Sequence, residues 1–380
     1  MAECAYVTTH TATKIRPVTL TREPAPKPRA ASRSLGGIVM VELQSIKDES
    51  PLSRALQDEH YNGAVAVVSA DKELAADSQG FSHIDMAVPF ASHTVSGAGT
   101  VTQQFFGVLL MQFVEKGALK LSDKLSQYVP EYHQADQITL HQLATMQSGI
   151  PDYLPLMAKP FEENAPATLP AERLALQIDQ HNATNMDLAK VLDIVNDQPL
   201  DFKPGSKTAY SSTNALLLGE VLDRLTNERP LEAVLKENIY DPLALTNTKI
   251  GTAYAFAEGY HWIAGNPNVA GKGDENQADR GLVTTVDDLE KFAQAVLAGK
   301  LLQPASWQTI FKAAEAGYGF GWRKLADGWL GNTGSMLGYT GLLSINQKQQ
   351  KAVLGLTNVL KPQPAMDQFF NTIYQAATAL

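Results

Sequence analysis

The spacing of apolar residues predicts strands near both ends of the chain. A short, continuous apolar run over 63–68 has the length and content of a buried strand. The polar residues 70–73 that follow predict a hairpin leading to a second strand. In the last third, segments 318–323, 338–346 and 351–357 are rich in strand-forming residues and are separated by polar turns. These patterns predict one sheet that draws strands from both ends of the chain.

The middle of the chain carries helical patterns instead. After Thr100 the apolar residues cover nearly the whole circumference of a helix, which is typical of a buried central helix, and Gly117 marks its end. Thr139 followed by Gln142 has the pattern of a capping box, so a second helix is predicted to begin there and to end at 148–149.

The remaining periodic segments complete the predicted fold. Helices are predicted over 51–59, 216–225, 287–298 and 364–378, and the Pro-rich, polar stretch 150–200 is expected to hold short helices. The predicted fold class is α+β: an antiparallel β-sheet of five or more strands flanked by helices, with an inserted, mostly helical subdomain. We expect the sheet part at about 36–100 and 280–380 and the helical part at about 101–279.

Composition narrows the classes of function. The 380 residues are 44% hydrophobic and 19% charged, as in ordinary globular proteins. A net charge of −9 argues against nucleic acid as a partner. No apolar run is long enough to predict a membrane span. The single Cys4 excludes an internal disulfide framework, and the histidines lack the spacing of metal ligands, so no metal and no cofactor are implied.

Residues 1–35 differ from the rest of the chain. They carry six Lys or Arg and two acidic residues, a net charge of +4, so the remainder carries −13. The Pro-rich composition predicts a disordered basic leader before a single domain over 36–380, and an acidic partner for this leader is possible. The leader lacks a classical signal-peptide pattern, which slightly favours a cytoplasmic location, with a transit peptide as the alternative.

The candidate chemistry begins at the start of the central helix. Thr100 places a hydroxyl where helix N–H groups lack partners and the helix field favours negative charge. Acyl transfer by a hydroxyl also needs a base for its proton and donors for the oxyanion. Gln103, one turn later on the same face, forms hydrogen bonds but does not take a proton near neutral pH. Taken alone, Thr100 is better explained as a helix N-cap.

Segment 99–105 resembles the nucleophile motif G-S-x-x-K of the penicillin-recognising serine hydrolases, which include β-lactamases and penicillin-binding proteins. Thr100 stands where that family has Ser, and Gln103 stands where it has Lys. The resemblance therefore implies an acyl-transfer scaffold without the group that activates its nucleophile.

Segment 204–214 resembles the family pattern P-G-x-x-x-x-Y-S-N-T-N. Tyr210 keeps the tyrosine and Ser212 replaces the usual Asn. By resemblance Tyr210 is a candidate proton carrier, provided that its pKa is depressed. Lys207, the cation nearest to it in sequence, is a candidate substitute for the missing Lys.

Segment 331–339 resembles the family segment G-H-T-G…G-Y/F, with Asn332 in place of His or Lys. In the family this segment forms a strand edge beside the nucleophile, where a Gly lets a ligand backbone approach. The resemblance implies that Thr333, Gly334 and Ser335 contact the ligand, and that the N–H of Ser335 is the second oxyanion donor beside that of Thr100.

The similarity covers about 50–375, with further family-like segments in family order, and is strongest to class C β-lactamases, D-Ala-D-Ala peptidases and related esterases. Every motif keeps its frame and loses its most reactive residue, while the replacements stay polar. We therefore expect an impaired acylation site in a cleft that binds a peptide or another small acyl ligand.

Two alternatives stay open at this point. The first is an active but divergent hydrolase, esterase, transacylase or non-hydrolytic enzyme that uses Thr100 and Tyr210. The second is a scaffold protein that acts through its surface and its basic leader.

Overall fold

The structure is a computed structural model that describes residues 52–53, 61–182, 187–226, 229–271, 273, 278–361 and 363–380. The predicted leader and most of the helix predicted over 51–59 lie outside the described residues.

Most of the described helices lie in the middle of the chain, and most strands of the main sheet lie near its two ends. The strands are β1 (Gly63–Ser69), β2 (Glu73–Gln79), β3 (Phe81–His83), β4 (Val88–Pro89), β5 (Ser96–Gly97), β6 (Lys249–Ile250), β7 (Tyr260–Ile263), β8 (Asn266–Val269), β9 (Leu282–Thr284), β10 (Tyr318–Gly319), β11 (Trp322–Ala326), β12 (Trp329–Met336), β13 (Tyr339–Asn346), β14 (Lys351–Thr357) and β15 (Val359–Leu360). The α-helices are α1 (Thr102–Glu115), α2 (Leu140–Ala144), α3 (Tyr153–Asn164), α4 (Ala171–Asn182), α5 (Leu188–Val195), α6 (Ser212–Leu225), α7 (Leu231–Leu235), α8 (Asp241–Leu243), α9 (Val286–Leu297), α10 (Pro304–Glu315) and α11 (Gln363–Ala379). A π-helical turn (Lys236–Tyr240) and short 3₁₀ turns, including Gly99–Val101, lie between them.

The main sheet has seven strands in the order β10-β11-β12-β13-β14-β1-β2, and all neighbours are antiparallel. β1 lies between β2 and β14, so the sheet joins the two ends of the chain as the sequence predicts. The α+β fold class is confirmed, and the observed sheet exceeds the expected minimum of five strands.

Each face of the sheet is covered by helices. Trp329 and Leu342 point to one face, where they pack with Phe370 and Tyr374 of α11. Leu330 and Leu343 point to the other face and belong to the main core, which includes α1. Successive side chains of a strand alternate between faces, so β12 presents its even-numbered residues to α1 and its odd-numbered residues to α11.

The central helix predicted after Thr100 is α1. Its first eleven residues are buried, and Phe105 stacks on Phe292 of α9 with ring centroids 4.0 Å apart. A helix enclosed on all sides fixes its N-terminal residues firmly in space, and this is where the candidate site begins.

Two predicted elements differ from the observed ones because of positive φ angles in the backbone: one ends earlier and the other is broken. The capping box of Thr139 and Gln142 is present, but α2 ends at Ala144 because Met146 has a φ of 56°, which a right-handed helix excludes. The strand predicted over 318–323 is split into β10 and β11, since Phe320 and Gly321 have φ values of 54° and 88°. The break turns the Gly321 carbonyl toward the candidate site.

The part expected to be mostly helical, 101–279, contains α1 to α8 and also the short strands β6, β7 and β8. β7 pairs in parallel with β15, which follows the main-sheet strand β14 in the chain and belongs to a separate three-stranded sheet with β7 and β8. Within the described residues, no helix combines the length and apolarity that crossing a membrane requires.

Candidate active site

Two glycines bring the start of α1 against the edge of β12. A Cβ on Gly99, whose φ is 52°, would lie 2.2 Å from the carbonyl oxygen of Gly334. A Cβ on Gly334 would lie 2.3 Å from the hydroxyl oxygen of Thr100. Only residues without side chains permit this approach. The first and third motifs therefore meet, as the sequence predicts.

The side-chain amide of Asn332 forms hydrogen bonds with both the backbone carbonyl oxygen and the side-chain hydroxyl of Thr100. Its Nδ2 donates to the carbonyl oxygens of Thr100 (3.1 Å) and Gly321 (3.0 Å). Carbonyl oxygens only accept, so these bonds fix which amide atom is nitrogen. Its Oδ1 then lies 3.1 Å from Thr100 Oγ1 and accepts from Thr333 N–H at 3.0 Å. The Thr100 hydroxyl must be the donor to this amide oxygen.

Gln103 is 4% exposed, and its side-chain amide is fully hydrogen-bonded. Nε2 donates to the Asp279 carbonyl oxygen (2.9 Å) and to the Tyr210 hydroxyl (2.8 Å). Oε1 accepts from the Tyr318 hydroxyl. A buried amide keeps its position only when its donors and acceptor are paired, so Gln103 links the central helix to the other motifs.

Tyr210 lies just before α6; the residue is 44% exposed, and its hydroxyl accepts a hydrogen bond from the buried Gln103 amide. Burial of this hydroxyl raises the pKa of Tyr210 above its ordinary value. Hydrogen bonds from Ser212 and Gln103 act in the opposite direction and are outweighed. The condition of a depressed pKa is therefore not met, and Tyr210 is a neutral phenol near neutral pH.

Ser212 begins α6 and is buried beside an acidic pair. Its backbone N–H bonds to the carboxylate of Asp152, and the Tyr153 hydroxyl donates to Asp279 Oδ2 at 2.9 Å. Burial raises the pKa of both Asp152 and Asp279, although Arg280 Nε lies 3.7 Å from Asp279 Oδ2. Burial therefore disfavours the negatively charged form of both carboxyl groups.

Lys207 does not replace the missing lysine. Its Nζ lies 4.9 Å from the centroid of the Phe202 ring, in a cation–π contact. In the part of the chain that the structure describes, no amine or imidazole is hydrogen-bonded to Thr100. The described residues also contain no group of three or more His, Cys, Asp or Glu able to hold a metal ion.

Of the three residues expected to contact the ligand, Gly334 lies directly against Thr100. The Ser335 nitrogen lies 3.3 Å from the point where a Cβ on Gly99 would stand, so this N–H is close to the turn. Thr333 and Ser335 are odd-numbered, and their side chains face α11 instead. β11 pairs with β12 only as far as Gly331, so within the described residues the edge over 333–335 has a strand on one side only.

Sequence reasoning missed Tyr318 and Asp279 as members of the site. Tyr318 begins a Tyr-Gly-Phe-Gly-Trp segment that resembles the family, and Asp279 precedes the family-like Gly281-Leu282 pair. Both belong to recognisable segments, but only their position beside Gln103 reveals a role.

Comparisons with known proteins show the family of the chain. The family model described as Beta-lactamase matches residues 51–377. PbpX of Bacillus subtilis strain 168, named as a penicillin-binding protein, is 24% identical over 350 residues, which cover 88% of this chain and 80% of PbpX.

Two solved structures have the same fold. The penicillin-binding protein from Bacillus halodurans has a TM-score of 0.69 at 19% identity, covering 85% of this chain and 98% of that one. A D-stereospecific amidohydrolase from Streptomyces sp. has a TM-score of 0.67 at 20% identity, covering 84% of this chain and 98% of that one. At these identities the likeness establishes the fold alone.

Proposed function

Since the chain belongs to the Beta-lactamase family of serine-hydrolase-like proteins, we propose that it binds a peptide or acyl ligand in the cleft at Thr100 without forming an acyl intermediate. The main support is the hydrogen bond from Thr100 to Asn332 Oδ1. An amide oxygen does not accept a proton near neutral pH, so the proton that a nucleophilic hydroxyl must lose has no acceptor there.

The other polar partners offer no better acceptor. Gln103 is an amide, and the pKa values of Tyr210 and Tyr318 are raised by burial, so neither phenol supplies a phenolate near neutral pH. In other hydroxyl-nucleophile enzymes, loss of the nucleophile or its base costs on the order of 10⁶ in kcat. Turnover is therefore expected to fall to the residual level that oxyanion donors provide.

By contrast, the cleft retains features that favour ligand binding. The strand edge over 333–335 is open on one side, which suits an extended backbone. Because Gln103 Nε2 donates to the oxygen of Tyr210, the phenol proton is available for a ligand acceptor. The half-exposed ring of Tyr210 adds an apolar surface at the cleft.

The first test looks for an acyl intermediate. The protein is incubated with a fluorophosphonate and with a cephalosporin, and its intact mass is measured beside that of Thr100→Ala. We expect no mass shift with either reagent. A shift that is lost in Thr100→Ala would mean that Thr100 acylates, and the proposal would be wrong. Binding without acylation is measured by calorimetry with the same cephalosporin and an N-acetyl dipeptide.

The second test restores the missing chemistry. Tyr210 OH, Tyr318 OH and the Asp279 carbonyl oxygen surround Gln103, and together they provide three acceptors for an ammonium group. The double variant Thr100→Ser with Gln103→Lys should therefore gain hydrolysis of a chromogenic ester, by about 100-fold or more.

The matched control is Thr100→Ser with Gln103→Met, which has a side chain of similar length and no proton acceptor. Equal rates for the two double variants would mean that the remaining site does not support acylation chemistry. A wild-type rate that already equals the Lys variant would contradict the proposal itself.

A further inference from the structure

Hydrogen bonds connect Thr100 to Tyr210 through three other side chains of the candidate site. The Thr100 hydroxyl donates to Asn332 Oδ1 at 3.1 Å, and Asn332 Nδ2 donates to the Tyr318 hydroxyl at a longer 3.4 Å. The Tyr318 hydroxyl in turn donates to Gln103 Oε1, and Gln103 Nε2 donates to the Tyr210 hydroxyl at 2.8 Å. Every bond in this series therefore runs in the same direction, from Thr100 toward Tyr210.

Backbone carbonyl groups fix the direction of the series. Asn332 Nδ2 also donates to the carbonyl oxygens of Thr100 and Gly321, and Gln103 Nε2 also donates to that of Asp279. If either amide turned by 180°, its oxygen would face carbonyl oxygens, which have no proton to donate. Because both amides are buried, the reversed arrangement would carry the full cost of unpaired polar groups. The direction of the series is therefore set by the fold.

The fixed direction gives the two ends of the series opposite hydrogen-bonding characters. At Tyr210 the oxygen accepts from Gln103, so the phenol proton is left for an acceptor on a ligand, at a residue that is 44% exposed. At Thr100 the proton is donated to Asn332, so this partly exposed residue offers the lone pairs of its hydroxyl oxygen. The cleft thus presents a donor at Tyr210 and an acceptor at Thr100.

The charges around the series favour a neutral ligand. All five of its side chains are uncharged near neutral pH. Burial is the main cause of the raised pKa of Tyr210, and the carboxyl groups of Asp279 and Asp152 act in the same direction through their charge. A field that opposes a phenolate also opposes an anionic group of a ligand beside that phenol. An anion would therefore give up its hydration without gaining a counter-charge from the series.

We infer that the group bound at the two ends of this series is a neutral carboxamide that carries an N–H. Its carbonyl oxygen accepts the Tyr210 proton, and its N–H donates to Thr100 Oγ1. An ester or a carboxylate offers acceptors but no donor, so either leaves the Thr100 oxygen without a partner. Sites with fixed polar groups discriminate strongly against ligands that leave one of them unpaired. This inference rests on the proposed function, to which it adds the chemical class of the ligand.

The test compares three ligands that share one apolar part and differ in one functional group: phenylacetamide, methyl phenylacetate and phenylacetate. Each is titrated into the full chain at neutral pH, and its dissociation constant is measured by NMR. We expect the amide to bind about tenfold tighter than the ester and the anion, because it forms one more hydrogen bond to a fixed partner. Release of methanol from the ester is followed in the same samples and should not occur.

Two variants assign this preference to the two ends of the series. Thr100→Val keeps the branched shape and removes the hydroxyl, so the amide should weaken about tenfold, to the level of the ester, while the ester is unchanged. Tyr210→Phe removes the donor to the carbonyl oxygen, so amide and ester should weaken by the same factor, about threefold or more. Thr309→Val makes the first change on α10, outside the series, and should leave all three affinities unchanged.

Four results would overturn the inference while methanol release stays absent. They are equal binding of amide and ester, tightest binding of phenylacetate, an amide advantage that persists in Thr100→Val, and no binding of any of the three ligands. In each of these cases the proposed function is still judged by the cephalosporin titration. Methanol release that is lost in Thr100→Val would instead contradict the proposed function, so product formation tells the two failures apart.

Discussion

Polar side chains on the two faces of β12 differ in their hydrogen bonding. Toward Thr100, Asn332 uses its oxygen and both amide hydrogens, and Gln103 beside it is equally satisfied. Toward α11, the hydroxyl of Thr333 is buried without a hydrogen-bond partner within the described residues, and Ser335 Oγ forms one hydrogen bond of 2.7 Å with Thr340 Oγ1. The same strand therefore separates a connected network of amides and hydroxyls from a face on which polar side chains make only isolated contacts.

This difference indicates where each face gains its stability. An amide network that pairs every donor and acceptor is already complete in the free protein. Unpaired buried hydroxyls cost free energy unless something else is bound to them. The Thr100 face should therefore be more sensitive than the α11 face to the loss of a hydrogen-bond partner.

The largest expected effect breaks the closed packing on the Thr100 face. Gly334→Ala places a Cβ 2.3 Å from Thr100 Oγ1 and 2.6 Å from Thr100 Cγ2, so the strand or the turn must move. We expect a loss of about 3 kcal/mol in the free energy of unfolding, measured by urea denaturation. In a Thr100→Ala background those two atoms are absent, and the loss should be clearly smaller. Equal losses in both backgrounds would refute the proposed clash.

Two tyrosines, one on each side of the sheet, allow the stability contribution of a hydroxyl to be compared between the two faces. Tyr318→Phe removes a hydroxyl that donates to Gln103 and accepts from Asn332 at 3.4 Å, so it leaves a buried amide oxygen unpaired. We expect a loss of about 2 kcal/mol in the free energy of unfolding. Tyr374→Phe removes a hydroxyl on the α11 face, outside this network, and should cost clearly less. Similar losses for the two variants would erase the contrast between the faces.

The smallest expected effect concerns pH. Burial raises the pKa of Asp279 in the folded protein above its ordinary 3.8, so its contribution to stability is fully present below that value. The contribution is lost as the pH rises through the raised pKa. Asp279→Asn does not titrate, and its unfolding free energy should fall less than that of the wild type between pH 4 and 7. Asp327→Asn, at an exposed position, serves as the control and should keep the wild-type slope.

Most of the element order could be predicted from local sequence. The apolar run over 63–68 and the segment 351–357 correspond to β1 and β14, and the capping box at Thr139 starts α2. These features depend on neighbours in the chain, which a single sequence displays. The early end of α2 and the break between β10 and β11 depend on positive φ values of non-glycine residues, which only tertiary contacts impose.

The sequence singled out several residues of the candidate site, but it did not reveal their protonation states. The resemblance to the family singled out Thr100, Gln103, Tyr210 and Asn332, which all lie in one hydrogen-bonded network. Tyr318, which joins the two amides, was not identified, because its role depends on where the β10–β11 break places it. The direction of the Tyr210 pKa depends on burial of its hydroxyl, which the sequence does not display.

By itself the sequence determined the family, the α+β class and the replacement of each reactive residue by a neutral polar one, because these follow from residue identity and order. The tertiary structure decided how those replacements are paired and which face each side chain takes. Hydrogen-bond direction and burial arise from groups far apart in the chain, such as Thr100 and Asn332, and they alone settle whether a proton has an acceptor.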